Sequence, residues 1–135
     1  MHKNTVYTLI ARLQGETIPG RRREAAIALG KSGDPRAIRP LIERISEPDP
    51  EMRLAVTLAL TELGSIRAAD ALIERLRDTS ELSGIREAAA TGLGKIRSSR
   101  AIPALRSCLG NGDAVVRQAA EKALAEIRPV KSLPD

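Results

Sequence analysis

The chain has 135 residues, of which 42% are hydrophobic but only 1% aromatic, and its formal net charge is +5. This length suits one domain. Its apolar residues are almost all Ala, Leu, Ile and Val, which favours close helix packing over a β-sandwich or barrel. No apolar run of about 18 residues occurs, so no membrane-spanning helix is predicted. A single cysteine excludes an internal disulfide, and we expect a cytoplasmic protein.

One sequence pattern recurs along the chain. Four arginines are separated by 31, 33 and 31 residues: Arg22, Arg53, Arg86 and Arg117. They begin the segments RREAAIAL, RLAVTLAL, REAAATGL and RQAAEKAL, in which small or apolar residues recur at helical steps of three and four. A more apolar segment precedes each one: VYTLIARL, AIRPLIERI, AADALIERL and AIPALRSCL. We therefore predict an all-α protein of about eight helices, arranged in four two-helix units at about 4–33, 34–64, 65–97 and 98–128, with a tail over 129–135.

The segments between these helices carry helix-terminating residues. GKSGDPRA (30–37) predicts the end of one helix at 30–33, with Asp34 as the next cap and Pro35 in the first turn. SEPDPE (46–51) cannot continue a helix through Pro48 and Pro50. Helix pattern and turn chemistry therefore predict the same units.

This pattern resembles the short HEAT-like repeats found in phycobilisome lyases and in many small bacterial and archaeal proteins, VRxxAAxALGxIGDPRAIPxLIxxL. The match covers nearly the whole chain, although Thr61 and Ala125 replace the usual Gly, SIRAAD replaces DPRAIP, and SELSG (80–84) lengthens one turn. We expect these departures to weaken particular turns. The resemblance implies one α-solenoid domain over 1–135, a right-handed superhelix whose RxxAA helices line the concave face.

The resemblance also implies a structural role for the repeated arginines, each bridging to a group in the preceding turn. The candidate partners are Glu16, Glu47, Asp78 or Ser80, and Asn111. Charged groups inside packed layers normally persist only when paired, so we expect an arginine ladder that supports the array. Glu121 stands where Ala26, Thr57 and Ala90 stand in earlier units, which predicts a polar end to a complete four-unit solenoid.

The sequence offers no catalytic or metal-binding constellation. His2 is the only histidine, so no His-based triad or ordinary zinc site can form. Cys108 aligns with long arginines, so we expect an incidental thiol at a partly exposed edge, without a histidine to activate it. GKSGD lacks the spacing of a phosphate-binding loop. We expect no enzyme activity, no cofactor and no metal.

The outward positions of the RxxAA helices form the candidate partner-binding face. They are Arg23, Ile27, Lys31, Leu54, Leu58, Glu62, Glu87, Thr91 and Lys95. Ile27, Leu54 and Leu58 are large apolar residues at positions expected to face solvent, and such a cluster ringed by charges is typical of a protein-binding surface. The alternative is that helix irregularity or superhelix curvature buries them.

The leading hypothesis is a monomeric, non-enzymatic scaffold that binds a protein partner of unknown identity through its concave face. The resemblance alone favours an alternative, an accessory subunit of a chromophore (bilin) lyase-like modifying system. A third reading, a nucleic-acid-binding module, would use the basic run GRRRE (20–24). That reading is disfavoured because aromatic platforms for single strands are absent, Tyr7 excepted, and Arg22 is assigned to the ladder. We expect no membrane partner.

Overall fold

A computed structural model describes residues 3–110 and 112–127. The predicted tail, His2 and Asn111 lie outside this range. The described residues form eight α-helices and no strand: α1 (Lys3–Gly15), α2 (Pro19–Ser32), α3 (Ile38–Ile42), α4 (Pro50–Leu63), α5 (Ala69–Arg77), α6 (Ser83–Ile96), α7 (Ile102–Ser107) and α8 (Ala114–Ile127). Short 3-10 turns lead into α3, α5 and α7. The all-α prediction is confirmed.

The helices form two layers, one of odd-numbered and one of even-numbered helices. Helix α4 packs between α2 and α6, and α6 packs between α4 and α8. Each even-numbered helix also packs on the odd-numbered helix before it, whereas the odd-numbered helices contact one another much less. The chain is therefore an α-solenoid, and its closely packed even-numbered layer corresponds to the predicted RxxAA helices.

One continuous core runs through all four helix pairs. Its largest fully buried side chains are Leu13, Leu29, Leu41, Met52, Leu60, Leu72, Leu76, Leu93 and Leu105. The polar Thr57 is also fully buried, and its hydroxyl donates a hydrogen bond to the Arg53 carbonyl at 2.8 Å. Glu121, at the corresponding position of α8, is exposed. This position of the repeat is therefore buried in α4 and exposed in α8.

Small residues set the distance between neighbouring even-numbered helices. A Cβ atom added to Gly30 would lie 2.7 Å from the Ala59 Cα, and one added to Gly94 would lie 2.9 Å from the Ala123 Cα. Both glycines therefore permit a backbone approach that any larger residue would prevent. Gly30 lies inside α2, and the helix ends at Ser32, so the predicted helix end at 30–33 is correct only in its last part.

The interface between α4 and α6 has the glycine on the other helix. Thr61 occupies the position of Gly30 and Gly94, and it faces Gly92, where an added Cβ would lie 2.5 Å from the Thr61 Oγ1. The Thr61 hydroxyl also donates to the Ala88 carbonyl across the interface at 3.0 Å. The departure from the usual Gly thus alters a contact between helices, and not a turn as expected.

The turns after α2, α4 and α6 use left-handed backbone. Gly33 and Gly64 end α2 and α4 with φ of 66° and 63°, and Arg97 takes the same conformation after α6 with φ of 60°. Asp34 caps the following 3-10 turn, because its carboxylate accepts from the Arg36 backbone N–H at 2.9 Å. The hydrogen bond from the Arg36 side chain is the main cause that lowers the pKa of Asp34 to about 2. The predicted cap is confirmed.

None of the helices in the described range is both long and apolar enough to cross a lipid bilayer.

Candidate functional site

The first contact of the arginine ladder joins the first two units. The Arg22 Nη2 lies 2.6 Å from the Glu47 Oε2, and the Arg44 Nη1 approaches the same oxygen at 3.4 Å. The Arg22 Nε donates to the Leu13 carbonyl at 3.4 Å. Glu16, the candidate from the preceding turn, instead accepts from the backbone N–H groups of the next two residues. The carboxylate that pairs with Arg22 therefore comes from the following unit.

The second contact is a buried, bidentate version of the first. The Arg53 Nε and Nη2 lie 2.9 and 3.0 Å from the two oxygens of Glu81, whose side chain is only 1% exposed. The Arg75 Nη1 lies 2.9 Å from the same carboxylate. The remaining Arg53 nitrogen donates to the carbonyls of Glu47 and Pro48, both at 2.9 Å. Glu47 is thus a partner of Arg53, but through its backbone.

The carboxylate of Glu81 remains charged in these surroundings. Burial raises its pKa, but hydrogen bonds from Arg53, the Leu82 backbone N–H and Arg75 together outweigh burial, and the net pKa lies below its ordinary value. The same contact raises the pKa of Arg53. A buried carboxylate between two guanidinium groups is a mutually stabilised cluster.

The third contact has no carboxylate in the described residues. The Arg86 Nε donates to the Leu76 carbonyl at 2.9 Å, and its Nη2 lies 3.8 Å from the Cys108 Sγ. The candidates Asp78 and Ser80 bond to each other, with the Ser80 hydroxyl 2.6 Å from the Asp78 Oδ1.

Arg117 lies half-buried in α8 and is not without a partner. Its predicted partner, Asn111, lies outside the described residues.

Cys108 is buried, which contradicts the expected exposed edge. It stands where earlier units place an arginine, but the thiol is too short to reach solvent and packs beside Arg86. Burial raises the pKa of the thiol, although the nearby guanidinium acts in the opposite direction. A buried, protonated thiol is a poor nucleophile.

The candidate partner-binding face consists of three rows across α2, α4 and α6, spaced by one helical turn. The first row is Arg23, Leu54 and Glu87; the second is Ile27, Leu58 and Thr91; the third is Lys31, Glu62 and Lys95. Seven of these nine side chains are exposed, and Arg23 and Leu54 are half-buried. The structure thus brings all nine residues to one face.

The middle row holds an apolar depression between α2 and α4. Ile27 and Leu58 are 46% and 49% exposed, and they face each other from adjacent helices. With Ala55 and Ala59 between them, they line a space of about 500 Å³, and Glu62 lies at one edge. Ala55 itself is buried, so it forms the floor.

Leu54 belongs to a second, smaller depression between α4 and the start of α6. This space of about 210 Å³ is lined by Leu54, Ile85 and the exposed Leu82. The predicted single patch is therefore two adjacent depressions along α4. The sequence pattern does not place Leu82 on this face, because SELSG (80–84) predicts only a lengthened turn. An apolar residue at a helix N-cap was the signal that could have identified it.

Charged side chains flank both depressions. Arg23 pairs with Glu51 at 3.0 Å beside the first row. At the opposite end, the Lys95 ammonium donates to the Glu62 carbonyl at 3.0 Å, near the C-terminus of α4. That position suits a cation, because the last carbonyls of a helix carry partial negative charge.

The basic run GRRRE is largely neutralised by neighbouring carboxylates. Arg21 lies 3.8 Å from Glu16, and Arg22 and Arg23 make the closer ion pairs already described. A phosphate backbone would have to compete with each of these contacts.

A stack of similar helix pairs, each packed mainly on its neighbours, defines a class of protein, the helical-repeat solenoids. The chain belongs to the HEAT-repeat family: the family model for HEAT repeats matches residues 6–83 and 80–135. The resemblance to phycobilisome-lyase HEAT-like repeats is also confirmed. The chain is 34% identical over 116 residues to the phycocyanobilin lyase subunit alpha of Picosynechococcus sp., covering 78% of this chain and 43% of that protein.

Solved structures agree with this family. Human deoxyhypusine hydroxylase in complex with glycerol matches with a TM-score of 0.81 and 26% identity, over 94% of this chain and 44% of that chain. The complex of CpcE and CpcF of phycocyanin lyase from Nostoc sp. matches with a TM-score of 0.80 and 32% identity, over 93% and 53% respectively. The chain thus spans about half the length of these relatives, or somewhat less.

Within the described range, no group of three or more His, Cys, Asp or Glu side chains is placed to hold a metal ion.

Proposed function

We propose that this chain is a protein-binding HEAT-repeat module whose partner docks on the face formed by α2, α4 and α6. The observation that carries the proposal is the exposure of Ile27 and Leu58 on adjacent helices, on either side of one apolar depression. An apolar centre with a charged rim is the usual composition of a protein interface. We expect the isolated chain to be a monomer, because the charged residues around this face distinguish it from the largely apolar interfaces of obligate dimers.

The charged residues at the rim of this face should orient the partner, and the apolar centre should provide the binding affinity. Lys31 and Glu62 are exposed beside the apolar depression and carry opposite charges. Rim charges mainly affect the association rate and partner choice, whereas buried apolar anchors account for most of the affinity. We therefore assign the anchoring role to Ile27 and Leu58.

Site-specific photo-crosslinking in native lysate tests this assignment. A photoreactive amino acid at Leu58 should yield one dominant crosslinked species, identified by mass spectrometry. The same amino acid at Glu74, exposed on α5 in the odd-numbered layer, is the matched control. Equal crosslinking from both positions would contradict docking on the even-numbered face.

A substitution then tests the anchor. Leu58→Asp should leave the circular dichroism spectrum and the melting temperature nearly unchanged, because this side chain is half exposed. It should weaken binding of the identified partner at least tenfold, which corresponds to about 1.4 kcal/mol. Leu54→Asp is a less clean test, since Leu54 is half-buried against α6.

A second candidate is an accessory subunit of a bilin lyase-like system. Two similarities favour it, to the phycocyanobilin lyase subunit alpha and to the complex of CpcE and CpcF. The test is binding of the immobilised chain to phycocyanin apoprotein, measured with and without phycocyanobilin. Binding that is lost in Leu58→Asp would support this candidate, and absence of binding under both conditions would exclude phycocyanin as the partner.

A further inference from the structure

Two of the interfaces between units bury a carboxylate of the chain between two arginines. In the first, Glu47 contacts Arg22 of α2 at 2.6 Å and Arg44 of its own unit at 3.4 Å. In the second, Glu81 has the same surroundings, with its closest guanidinium nitrogens at 2.9 Å. The repeat therefore builds a carboxylate site wherever this pair of arginines recurs.

The third interface keeps the first arginine of this arrangement but lacks its carboxylate. Arg86 is the repeat equivalent of Arg22, and Cys108 replaces the second arginine. Arg86 is 7% exposed, yet it contacts only the Leu76 carbonyl and the Cys108 sulfur and makes no ion pair within the described range. Such a guanidinium has lost most of its hydration without gaining a hydrogen-bonded carboxylate, although its charge and that of Asp113 interact at longer range.

The neighbouring carboxylate is committed elsewhere. Asp113 precedes α8, and it accepts hydrogen bonds from the Ser83 hydroxyl and from the Val115 backbone N–H. The sequence between Cys108 and Asp113 is Leu-Gly-Asn-Gly, which contains no acidic residue.

A cavity of about 370 Å³ opens at this arginine. Its described lining combines two guanidinium groups with hydroxyl and thiol groups and has no acidic residue: Arg86, Arg77, Thr79, Ser107, Cys108 and Pro103. The volume suits a small ligand or one inserted side chain. Charge and hydrogen-bond donors both favour an anion with two acceptor oxygens.

We propose that this cavity binds a carboxylate, which takes at the third interface the place that Glu47 and Glu81 hold at the first two. The carboxylate comes either from an Asp or Glu side chain of a partner protein or from a small free carboxylic acid. The site lies between α5 and α7, apart from the face formed by α2, α4 and α6. The two proposals are therefore independent of each other.

The test compares the full chain in sodium acetate and in sodium chloride at equal ionic strength, at pH 7. Acetate at about ten times its Kd should raise the melting temperature by about 2–5 °C more than chloride does. Cys108→Asp places a carboxylate beside the Arg86 guanidinium, so this variant should show no acetate-specific shift. Arg86→Met should show none either. General salt effects act equally on all three proteins and cancel in this comparison.

The resonance of the Arg86 Nε–H group gives a readout that does not depend on stability. In the wild type this resonance should shift on acetate titration. The apparent Kd should be about tenfold lower than the Kd of any acetate binding that remains in Cys108→Asp. A blocked peptide, acetyl-Gly-Glu-Gly-amide, distinguishes the two sources of the carboxylate. If the peptide binds more tightly than acetate, the ligand is a side chain of a partner protein. If acetate binds and the peptide does not, the ligand is a small free acid. Equal responses of wild type and both variants would overturn the proposal, as would tighter binding of inorganic phosphate than of acetate.

Discussion

Arg53 and Arg86 occupy equivalent positions in successive units but differ in their partners. Arg53 makes a bidentate pair with a buried carboxylate, whereas Arg86 contacts a carbonyl and a thiol. Removing one member of a buried ion pair leaves an uncompensated charge. Replacing a buried charge that makes no close ion pair removes its desolvation cost and leaves no partner charge behind. Identical substitutions at the two positions should therefore have opposite or very unequal effects.

The first prediction follows from this difference. Arg53→Met should lower the free energy of unfolding by about 2–4 kcal/mol, because the buried Glu81 then keeps only the Arg75 guanidinium and the Leu82 backbone N–H. Arg86→Met should change it by less than about 1 kcal/mol, or raise it. Urea denaturation measures both. Arg39→Met, at an exposed position, is the control and should be nearly neutral. Equal losses at Arg53 and Arg86 would contradict the difference in pairing.

The second prediction concerns acid sensitivity at Glu81. Its pKa in the folded protein lies below the ordinary value of 4.5, so its contribution to stability is complete above pH 4.5 and is lost as the pH falls through the folded value. The difference in unfolding free energy between wild type and Glu81→Gln should be constant from pH 8 to 6 and should shrink below roughly pH 4.5. Glu43→Gln, at an exposed site, is the control. A difference that grows with acid would refute the lowered pKa.

At the scale of the helices, close approach depends on matched pairs of small residues. Gly30 faces Ala59 at the first interface, and Gly94 faces Ala123 at the third. At the second interface the larger residue lies on α4, as Thr61, and the glycine on α6, as Gly92. At each interface a glycine of one helix thus makes room for a larger residue of the other, so we expect the two positions to compensate for each other.

The third prediction tests this compensation with a double-mutant cycle. Gly92→Ala alone should lower stability by about 1–3 kcal/mol, since the new Cβ would meet the Thr61 Oγ1 and the Leu72 side chain. Adding Thr61→Gly restores the pairing seen at the other interfaces and should recover most of that loss. The coupling energy should exceed about 1 kcal/mol. Additive effects in thermal unfolding would show that the two positions do not compensate.

The helices and turns were predictable because the signals that determine them are local. The arginine spacing and the SEPDPE prolines predict helix pairs, and Asp34 predicts a cap, without knowledge of how units stack. The pairing of Arg22 was not predictable in this way. Glu16 is nearer in sequence, but the geometry of stacking brings Glu47 of the next unit against the guanidinium. Contacts between units depend on packing distances that sequence spacing does not specify.

The same limit applies to the candidate site. Helical periodicity predicted that Leu54 and Leu58 face outward together, and both lie on the predicted face. Periodicity could not separate them into two depressions, because the division depends on Leu82 at the start of α6. Nor could alignment with arginines predict that Cys108 would be buried, since a short side chain at the same position reaches a different depth.

At the scale of the whole molecule, stability follows from contacts between neighbouring units. Helices α4 and α6 are each packed between two even-numbered neighbours, whereas α2 and α8 each have one within the described part of the chain. In repeat arrays the stability of a unit is approximately its own contribution plus those of its interfaces. The middle units should therefore open least often, although the core is continuous.

The fourth prediction is a gradient of amide hydrogen exchange in this 135-residue chain. Amides of α4 and α6 should exchange at least about tenfold more slowly than those of α2 and α8, because α4 and α6 each pack against two even-numbered neighbours. A tenfold difference in protection corresponds to about 1.4 kcal/mol of opening free energy. Leu60→Ala creates a cavity at a fully buried position of α4. It should reduce protection in α2 and α6 as well as in α4, because it weakens the interfaces of α4 with both neighbours. Leu58→Ala, two residues away on the exposed face, should leave the gradient unchanged. Uniform protection of all four even-numbered helices would mean that the array opens as a single cooperative unit and that its interfaces do not act separately.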